Sequence, residues 1–258
     1  MAHILYTIQN GVARISLNRP KAFNSFVIEM AKELQAALDD AATNALVRAI
    51  YLTGEGRAFC AGEDLNEATD PNGPGMKAIV EQTYNPIITR LRAIEKPILA
   101  AVNGVAAGAG ANIALACDIC VAAESANFIQ AFSKIGLIPD SAGTFFLPRL
   151  IGMQKATALM MLGEKVSAQE AERIGMIYKC FSDETFAAES LKMAETLAQM
   201  PTKGLGYTKK LLNLSFSQSL EQQLLSERDY QVLAGETADY QEGVAAFLEK
   251  RKAVFRGN

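Results

Sequence analysis

Apolar and polar residues alternate along two short segments near the beginning of the sequence. Apolar side chains occupy every second position over residues 4–8 and again over residues 13–17, which is the period of a strand with one buried face. Asn10-Gly11 lies between the two segments, and this residue pair is typical of a two-residue hairpin turn. We therefore predict a β-hairpin in this part of the chain.

A helix and several further strands follow the hairpin. Helical spacing of apolar residues predicts a helix over residues 26–42, with Ser25 as its N-cap. Apolar runs predict strands at residues 48–53, 98–102 and 118–122, and a small-residue turn and a short helix separate the last two. Because strands and helices alternate, the predicted fold class is α/β.

Beyond Pro139 the pattern becomes mainly helical. Ser167 and Glu170 have the spacing of a capping box, and four amphipathic stretches follow them. The last helices contain many apolar residues, so either they pack on the body of the protein or they form an interface between subunits. We expect one main body over residues 1–200 and a helical region over residues 201–258 that drives oligomerisation.

Composition and charge narrow the possible classes of protein. Of the 258 residues, 50% are hydrophobic and 21% are charged, which is typical of a soluble globular protein with a full-sized core. The net charge is −3, so the strongly basic character of many nucleic-acid-binding proteins is missing. The sequence shows neither a signal peptide nor an apolar run of about 20 residues that could span a bilayer. We therefore expect a cytoplasmic protein without a membrane partner.

Histidine and cysteine usage excludes several kinds of catalytic site. The one histidine is His3, which rules out Ser-His-Asp, Cys-His and two-His metal sites unless a partner chain supplies the missing group. The four cysteines make no disulfide framework. Cys117 and Cys120 form a single CxxC pair, but the pair falls where a strand is predicted, and positions three apart on a strand face opposite sides. We expect no metal site.

Two segments of small residues expose the backbone, each after a predicted strand. They cover residues 59–65 and 103–112, and main-chain N–H groups there could approach a ligand closely enough to form an oxyanion hole. Tight helix packing is the alternative explanation. A dinucleotide site is not favoured, because Ile113 stands where the third glycine of the Gly108-Ala109-Gly110 pattern is needed.

Asp140 is the leading candidate for a catalytic base. It follows a proline and precedes a short apolar helix, so it could be an ordinary helix N-cap. It could equally be a carboxylate in an apolar pocket lined by residues such as Phe132 and Leu137, able to accept and return a proton. With histidine excluded, a carboxylate of this kind is the side chain best suited to acid-base chemistry.

Several motifs occur in one characteristic order. Residues 18–25, 59–65 and 101–116 together resemble the crotonase superfamily, also called the enoyl-CoA hydratase/isomerase family. The resemblance covers essentially the whole chain. It implies a crotonase-like ββα spiral core, a C-terminal helical region that assembles homotrimers or dimers of trimers, and an acyl-CoA thioester as substrate.

The resemblance also implies a role for individual residues. The backbone N–H groups of Glu63 and Ala109 would bind the thioester oxygen, and only the N–H of Glu63 would be used. Asp140 would transfer the proton. Substrate contacts are implied at Lys21, Ala22, Ala61, Gly62, Asp64, Leu65, Gly108, Phe132, Leu137 and Lys250.

Departures from the family pattern indicate the reaction. Hydratases of the family use two glutamates to activate water, and Asn112 and Phe132 occupy these positions. Asp140 matches the single carboxylate of the family's isomerases. It also matches the nucleophile of a related dehalogenase, which needs a histidine that this chain lacks outside His3. The resemblance thus implies an isomerase.

Two further segments, residues 132–140 and 227–235, resemble isomerases that act in phenylacetate breakdown. Such enzymes convert ring-1,2-epoxyphenylacetyl-CoA to an oxepin thioester. A 3-enoyl-CoA to 2-enoyl-CoA double-bond shift is the alternative. Neither reaction needs a cofactor, since coenzyme A enters as part of the substrate.

Two hypotheses from other functional classes remain as alternatives. A catalytically silent member would bind acyl-CoA without using Asp140. An RNA-binding member would need a basic row along one helix, and Lys203, Lys209 and Lys210 are too sparse to favour it.

Overall fold

The computed structural model describes residues 2–258 and contains two β-sheets. The strands are β1 (Ile4–Gln9), β2 (Val12–Leu17), β3 (Ala49–Gly54), β4 (Ala58–Cys60), β5 (Ile98–Val102), β6 (Val105–Ala107), β7 (Ile119–Ala123), β8 (Asn127–Ile129), β9 (Lys165–Ser167) and β10 (Lys179–Phe181). The larger sheet has the order β1-β2-β3-β5-β7-β10, and the smaller has the order β4-β6-β8-β9.

Helices connect and cover these sheets. The α-helices are α1 (Ile28–Thr43), α2 (Leu65–Ala68), α3 (Gly75–Ile79), α4 (Asn85–Ala93), α5 (Ala109–Leu115), α6 (Gly143–Ile151), α7 (Met153–Leu162), α8 (Ala168–Arg173), α9 (Asp183–Ala198), α10 (Thr202–Leu214), α11 (Leu220–Gly235) and α12 (Ala238–Leu248). A π-helical segment, Val80–Tyr84, joins α3 to α4. Short 3-10 helices lie at Pro20–Ala22 and Ala131–Ile135.

The sheets confirm the predicted hairpin and the predicted α/β class. β1 and β2 pair antiparallel, with Ile4 opposite Leu17. β2, β3, β5, β7 and β10 are all parallel to one another, which requires crossover connections between them. Each of β3, β5 and β7 is followed by a short strand of the smaller sheet. This repeated step from one sheet to the other forms the ββα spiral that the family resemblance implies.

Glycines and one asparagine allow consecutive turns of the spiral to stack. A Cβ atom on Gly104 would lie 2.2 Å from the carbonyl oxygen of Arg57, and one on Gly54 would lie 2.4 Å from that of Ala58. Asn103 accepts a hydrogen bond from the Gly54 N–H at 3.1 Å and donates one to the Gly56 carbonyl at 2.9 Å. Any larger residue at either glycine would separate the two turns.

The start of α1 differs from the prediction, because Ser25 is not the N-cap. The N-cap is Val27, which has no side chain that can accept a hydrogen bond. Instead, the Ile28 N–H donates to the Glu67 carboxylate at 2.9 Å, and a negative charge at this end of a helix is favourable. The side chain of Glu67 reaches α1 from 39 residues further along the chain, a distance that no local capping pattern can reveal.

Two smaller expectations also need correction. Ser167 accepts a hydrogen bond from the Glu170 N–H, but the Glu170 side chain pairs with Arg173, so the reciprocal half of the predicted capping box is missing. A complete capping box occurs instead at Ser219 and Gln222. The small-residue segment predicted as a turn contains the strand β6, because its alanines pair with β4 and β8.

The C-terminal helices expose much of their apolar surface. α10 is tied to the body through a buried Lys209, whose ammonium pairs with Asp118 at 2.9 Å. α11 buries none of its residues in the single chain. Exposed large apolar residues on α11 and α12 are Leu220, Leu224, Leu225, Val232, Leu233, Tyr240, Val244, Phe247 and Leu248. No helix in the described part of the chain is long and apolar enough to cross a membrane.

Replacing Gly110 with alanine tests the close packing of α5 against β4. A Cβ atom there would lie 2.4 Å from the Cys60 carbonyl oxygen and 2.7 Å from its sulfur. We expect Gly110→Ala to lower the free energy of unfolding by about 3 kcal/mol or more. Gly235→Ala is the control, because nothing lies within 4 Å of its Cβ position, and it should be neutral or slightly stabilising. Equal urea midpoints for Gly110→Ala and the parent protein would contradict this packing argument.

Candidate active site

Glu63 has a free backbone N–H because its neighbours make the local pairing. The segment after β4 forms a parallel bridge with Phe26, in which the Phe26 N–H donates to the Gly62 carbonyl at 2.7 Å. The Asp64 N–H donates to the Phe26 carbonyl at 2.8 Å. Glu63 lies between these two bonds, and its own N–H has no partner among residues 2–258. This donor is therefore available to a ligand.

Ala109 provides a second free backbone N–H. It is the first residue of α5, so its N–H has no acceptor within the helix. Gly108 precedes it with φ 53° and ψ −127°, a conformation that glycine tolerates and that a residue with a Cβ atom rarely adopts. A Cβ atom on Gly62 would lie 3.6 Å from the Ala109 nitrogen. The two small-residue segments thus bring their free N–H groups close together, where both can bind one oxygen atom.

Asp140 precedes α6 but does not cap it, so the N-cap interpretation is wrong. The N-cap is Ala142, and α6 begins at Gly143. Ser141 and Ala142 both adopt left-handed φ values, 50° and 58°, which are unfavourable for residues with a Cβ atom. The Ser141 hydroxyl donates to the Asp140 carboxylate at 2.9 Å. Burial raises the pKa of Asp140 above its usual value, although this hydrogen bond opposes the shift.

Asn112 holds the segment that bears Asp140. Its amide nitrogen donates to the Asp140 carbonyl oxygen at 2.9 Å, and its amide oxygen accepts from the side chain of Gln130 at 2.8 Å. A Cβ atom on Gly143 would lie 2.2 Å from the Asn112 amide nitrogen. Asn112 therefore has a structural role, which its residue type alone did not indicate.

A cavity of about 210 Å³ connects these groups. Most of its wall is apolar, and its ionisable side chains are those of Glu63, Tyr84, Lys134 and Asp140. Among the predicted site residues, the wall contains Ala61, Gly62, Glu63, Leu65, Gly108, Ala109, Phe132, Leu137 and Asp140. The apolar pocket that the sequence indicated around Asp140 is therefore present.

Four other predicted substrate contacts lie outside the cavity wall. Lys21 and Ala22 line a separate depression with residues 18–20. Asp64 pairs with Arg19 at 2.9 Å and accepts a hydrogen bond from the Asn66 N–H at the start of α2. Lys250 follows α12. Their contacts with a substrate stay predictions.

Glu63 and Tyr84 form a hydrogen-bonded pair of ionisable side chains in the cavity, which the sequence did not indicate. The Tyr84 hydroxyl donates a hydrogen bond to Oε2 of Glu63. Tyr84 is buried, and its ring packs edge-on against Phe26 with centroids 5.9 Å apart. Burial raises the pKa of Glu63 to about 7. Nearby carboxylates also raise this pKa, whereas the hydrogen bond from Tyr84 lowers it. The contact joins residues 21 positions apart, so only the folded chain reveals it.

The two cysteines of the CxxC pair lie in the hydrophobic core. Cys117 and Cys120 are both buried, and burial raises the pKa of the Cys117 thiol to about 12. Within residues 2–258, no group of three or more His, Cys, Asp or Glu side chains could hold a metal ion.

Comparisons with known proteins match the chain over nearly its full length. A family model described as enoyl-CoA hydratase/isomerase matches residues 7–258. The 1,2-epoxyphenylacetyl-CoA isomerase of Escherichia coli (strain K12) is 48% identical over 260 residues, which cover 100% of this chain and 99% of the relative. The trans-2-decenoyl-[acyl-carrier-protein] isomerase of Streptococcus mutans is 34% identical, and the match covers 98% of each chain. The crystal structure of an enoyl-CoA hydratase from Polaromonas sp. JS666 is similar with a TM-score of 0.90 at 35% identity, covering 98% of this chain and 99% of that one.

Replacing Glu63 with glutamine should make the protein more stable at high pH. The folded protein holds the Glu63 proton up to a pKa of about 7, whereas the ordinary value is 4.5. The stability that this proton contributes is complete below pH 4.5 and is lost as the pH rises through 7. We compare the free energy of unfolding of Glu63→Gln with that of the parent. After allowance for solvent screening, we expect this difference to shift in favour of Glu63→Gln by about 1–2 kcal/mol between pH 5 and pH 8. Urea titrations at both pH values measure this gain, with exposed Glu81→Gln as the control. An equal difference at both pH values would contradict the assignment.

Proposed function

Because the chain belongs to the enoyl-CoA hydratase/isomerase family and is a CoA-thioester isomerase, we propose that it converts ring-1,2-epoxyphenylacetyl-CoA to the oxepin thioester. The main support is one observation. Asp140 lines the same cavity as Glu63 and Ala109, whose N–H groups are free, while Asn112 and Phe132 occupy the positions of the hydratase glutamates. The relative from Escherichia coli with 48% identity, a 1,2-epoxyphenylacetyl-CoA isomerase, supports the same choice of substrate.

In the proposed mechanism, the thioester oxygen accepts hydrogen bonds from the N–H groups of Glu63 and Ala109. These donors are fixed by the pairing with Phe26 and by the start of α5, so they need little reorganisation when the substrate binds. Loss of a proton from the α-carbon places negative charge on this oxygen. Removing one donor of this type typically costs about 3 kcal/mol of transition-state stabilisation.

Asp140 accepts the α-proton in this mechanism. Burial raises the pKa of its carboxyl, so that the ionised form is a stronger base than an exposed aspartate. The C–C bond that the epoxide shares with the six-membered ring breaks while both C–O bonds persist, which expands the ring to the seven-membered oxepin. The electron pair left on the α-carbon forms a double bond to the ring, the adjacent ring double bond shifts, and Asp140 returns the proton to the γ-carbon of the ring. The composition of the substrate is unchanged, as an isomerisation requires.

A double-bond shift is the second candidate function. For a 3-enoyl-CoA, the same carboxylate would take the proton from the α-carbon and return it to the γ-carbon, giving the 2-enoyl-CoA. The isomerase relative from Streptococcus mutans, named for a trans-2-decenoyl substrate, favours this alternative. A hydration is less well supported, because neither Asn112 nor Phe132 can activate water.

The remaining residues are proposed to bind and assemble rather than react. Residues 1–200 would bind the acyl-CoA, with coenzyme A as part of the substrate and no separate cofactor. Lys21, Ala22, Asp64 and Lys250 would contact its coenzyme A portion. Residues 201–258 would assemble a homotrimer or a dimer of trimers.

Replacing Asp140 with asparagine tests the proposed base. The amide keeps the shape of the side chain and can still accept the hydrogen bond from Ser141, but it cannot accept the α-proton. We expect turnover of both the epoxide and the 3-enoyl thioester to fall at least about a hundredfold while acyl-CoA binding persists. Asp70→Asn is the matched control, since Asp70 lies outside the cavity wall and its carboxylate accepts a single hydrogen bond, from the Asn72 N–H. Near-parental turnover by Asp140→Asn would exclude this mechanism. A parent protein inactive on both thioesters would indicate a silent acyl-CoA-binding member.

A charged substitution on the exposed apolar surface of α12 tests the proposed assembly. Phe247 is 82% exposed in the single chain, so we expect Phe247→Asp to dissociate a trimer or larger assembly at micromolar concentration. Leu46, which is 72% exposed and lies in the loop after α1, offers a control, because Leu46→Asp should leave the assembly intact. Multi-angle light scattering measures the mass of each variant. A monomeric parent protein would refute the proposed assembly.

A further inference from the structure

Glu63 lines the cavity, and one of its carboxylate oxygens has no hydrogen-bond partner among the described residues. The Tyr84 hydroxyl donates to Oε2, which makes this oxygen an acceptor. Oε1 makes no hydrogen bond with any residue that the structure describes, and Glu63 lines the cavity. When the carboxyl is neutral, its proton is therefore best placed on Oε1, where a bound molecule can accept it.

We propose that the neutral carboxyl of Glu63, oriented by Tyr84, donates a hydrogen bond to an acceptor oxygen on the acyl group and thereby selects oxygenated acyl-CoA thioesters. This inference rests on the proposed function, since it assumes that the cavity binds the acyl group. It adds a role for the side chain of Glu63 to the role of its backbone N–H. Glu63 would therefore determine specificity, whereas Asp140 would transfer the proton.

The apolar surroundings make this donor selective. Leu65, Ala68, Met76, Ile79 and Ile135 contribute apolar side chains to the same cavity. A substrate that fills the cavity excludes solvent from Oε1. A hydrocarbon acyl group then leaves the carboxyl proton without an acceptor, whereas an epoxide oxygen accepts it. Leaving a buried donor unpaired typically costs a factor of about ten in affinity.

The charges around Glu63 favour its neutral form near neutral pH. Tyr84 faces it from the π-helical segment, Cys60 lies at the end of β4, and the carboxylates of Asp64, Glu67 and Asp140 lie nearby. The one cationic side chain in the cavity wall belongs to Lys134, which is exposed. Burial and the carboxylates raise the pKa of Glu63 to about 7. Above this pH the side chain loses its donor and repels an acceptor oxygen.

Two unreactive thioesters of similar size test the proposal. The probes are 2-methoxyphenylacetyl-CoA, which has an acceptor oxygen beside the ring, and 2-ethylphenylacetyl-CoA, which has none. Calorimetric Kd values are measured for both at pH 6 and pH 8.5. For the parent protein, we expect the methoxy probe to bind about tenfold more tightly at pH 6, and the preference to disappear at pH 8.5.

Two variants of Glu63 distinguish the effect of its hydrogen-bond donor from the effect of its size and shape. Glu63→Gln should keep the preference at both pH values, because its amide N–H donates at any pH. Glu63→Met fills similar space without a donor and should show no preference at either pH. Exposed Glu81→Gln is the control and should behave like the parent.

The possible outcomes distinguish this inference from the proposed function. Equal affinities of the parent for the two probes at pH 6, or a preference retained by Glu63→Met, would overturn the inference. Neither result depends on turnover. The proposed isomerisation fails separately, if the parent protein does not convert the epoxide or if Asp140→Asn still does.

Discussion

The close approach of two small-residue segments is the constraint on which the site depends. Gly62 packs against the backbone of Ala107 and Ala109, and Gly110 packs against Cys60. Side chains on either glycine would separate the segments and carry the free N–H groups of Glu63 and Ala109 apart. The small residues of the two segments thus have one structural purpose, because tight helix packing and exposed backbone donors, which are alternatives on the sequence alone, occur here together.

Asn112 positions the segment that carries the candidate base, Asp140. The family resemblance implies that Asn112 stands at a position where hydratases carry a glutamate that activates water. Here the amide bonds to the carbonyl of Asp140 and is itself held by Gln130. The left-handed conformations of Ser141 and Ala142 persist because this contact and the start of α6 hold the segment on both sides. Asn112 thus holds the backbone of the segment that carries the Asp140 carboxylate.

Much of the fold could be predicted from local patterns, whereas contacts between distant residues could not. Strand periodicity and Asn10-Gly11 predicted the hairpin, and the lack of a suitable histidine pointed to Asp140 as the candidate base, a residue that does line the cavity. Ser25 was the wrong N-cap because Glu67 supplies the acceptor from another element. The Glu63 and Tyr84 pair was missed for the same reason, since burial and a partner 21 residues away determine its chemistry.

Hydrogen exchange at the α-carbon tests the central claim most directly, because it isolates the first proposed step from the rest of the reaction. Phenylacetyl-CoA contains the thioester and the α-hydrogens but no epoxide or double bond that could shift. Incubated with the parent protein in D₂O, it should gain deuterium at the α-carbon, as measured by mass spectrometry, and Asp140→Asn should slow this exchange at least about a hundredfold. Exchange at equal rates with both proteins, or none with the parent, would contradict proton transfer by Asp140 to and from a thioester bound at the two N–H groups.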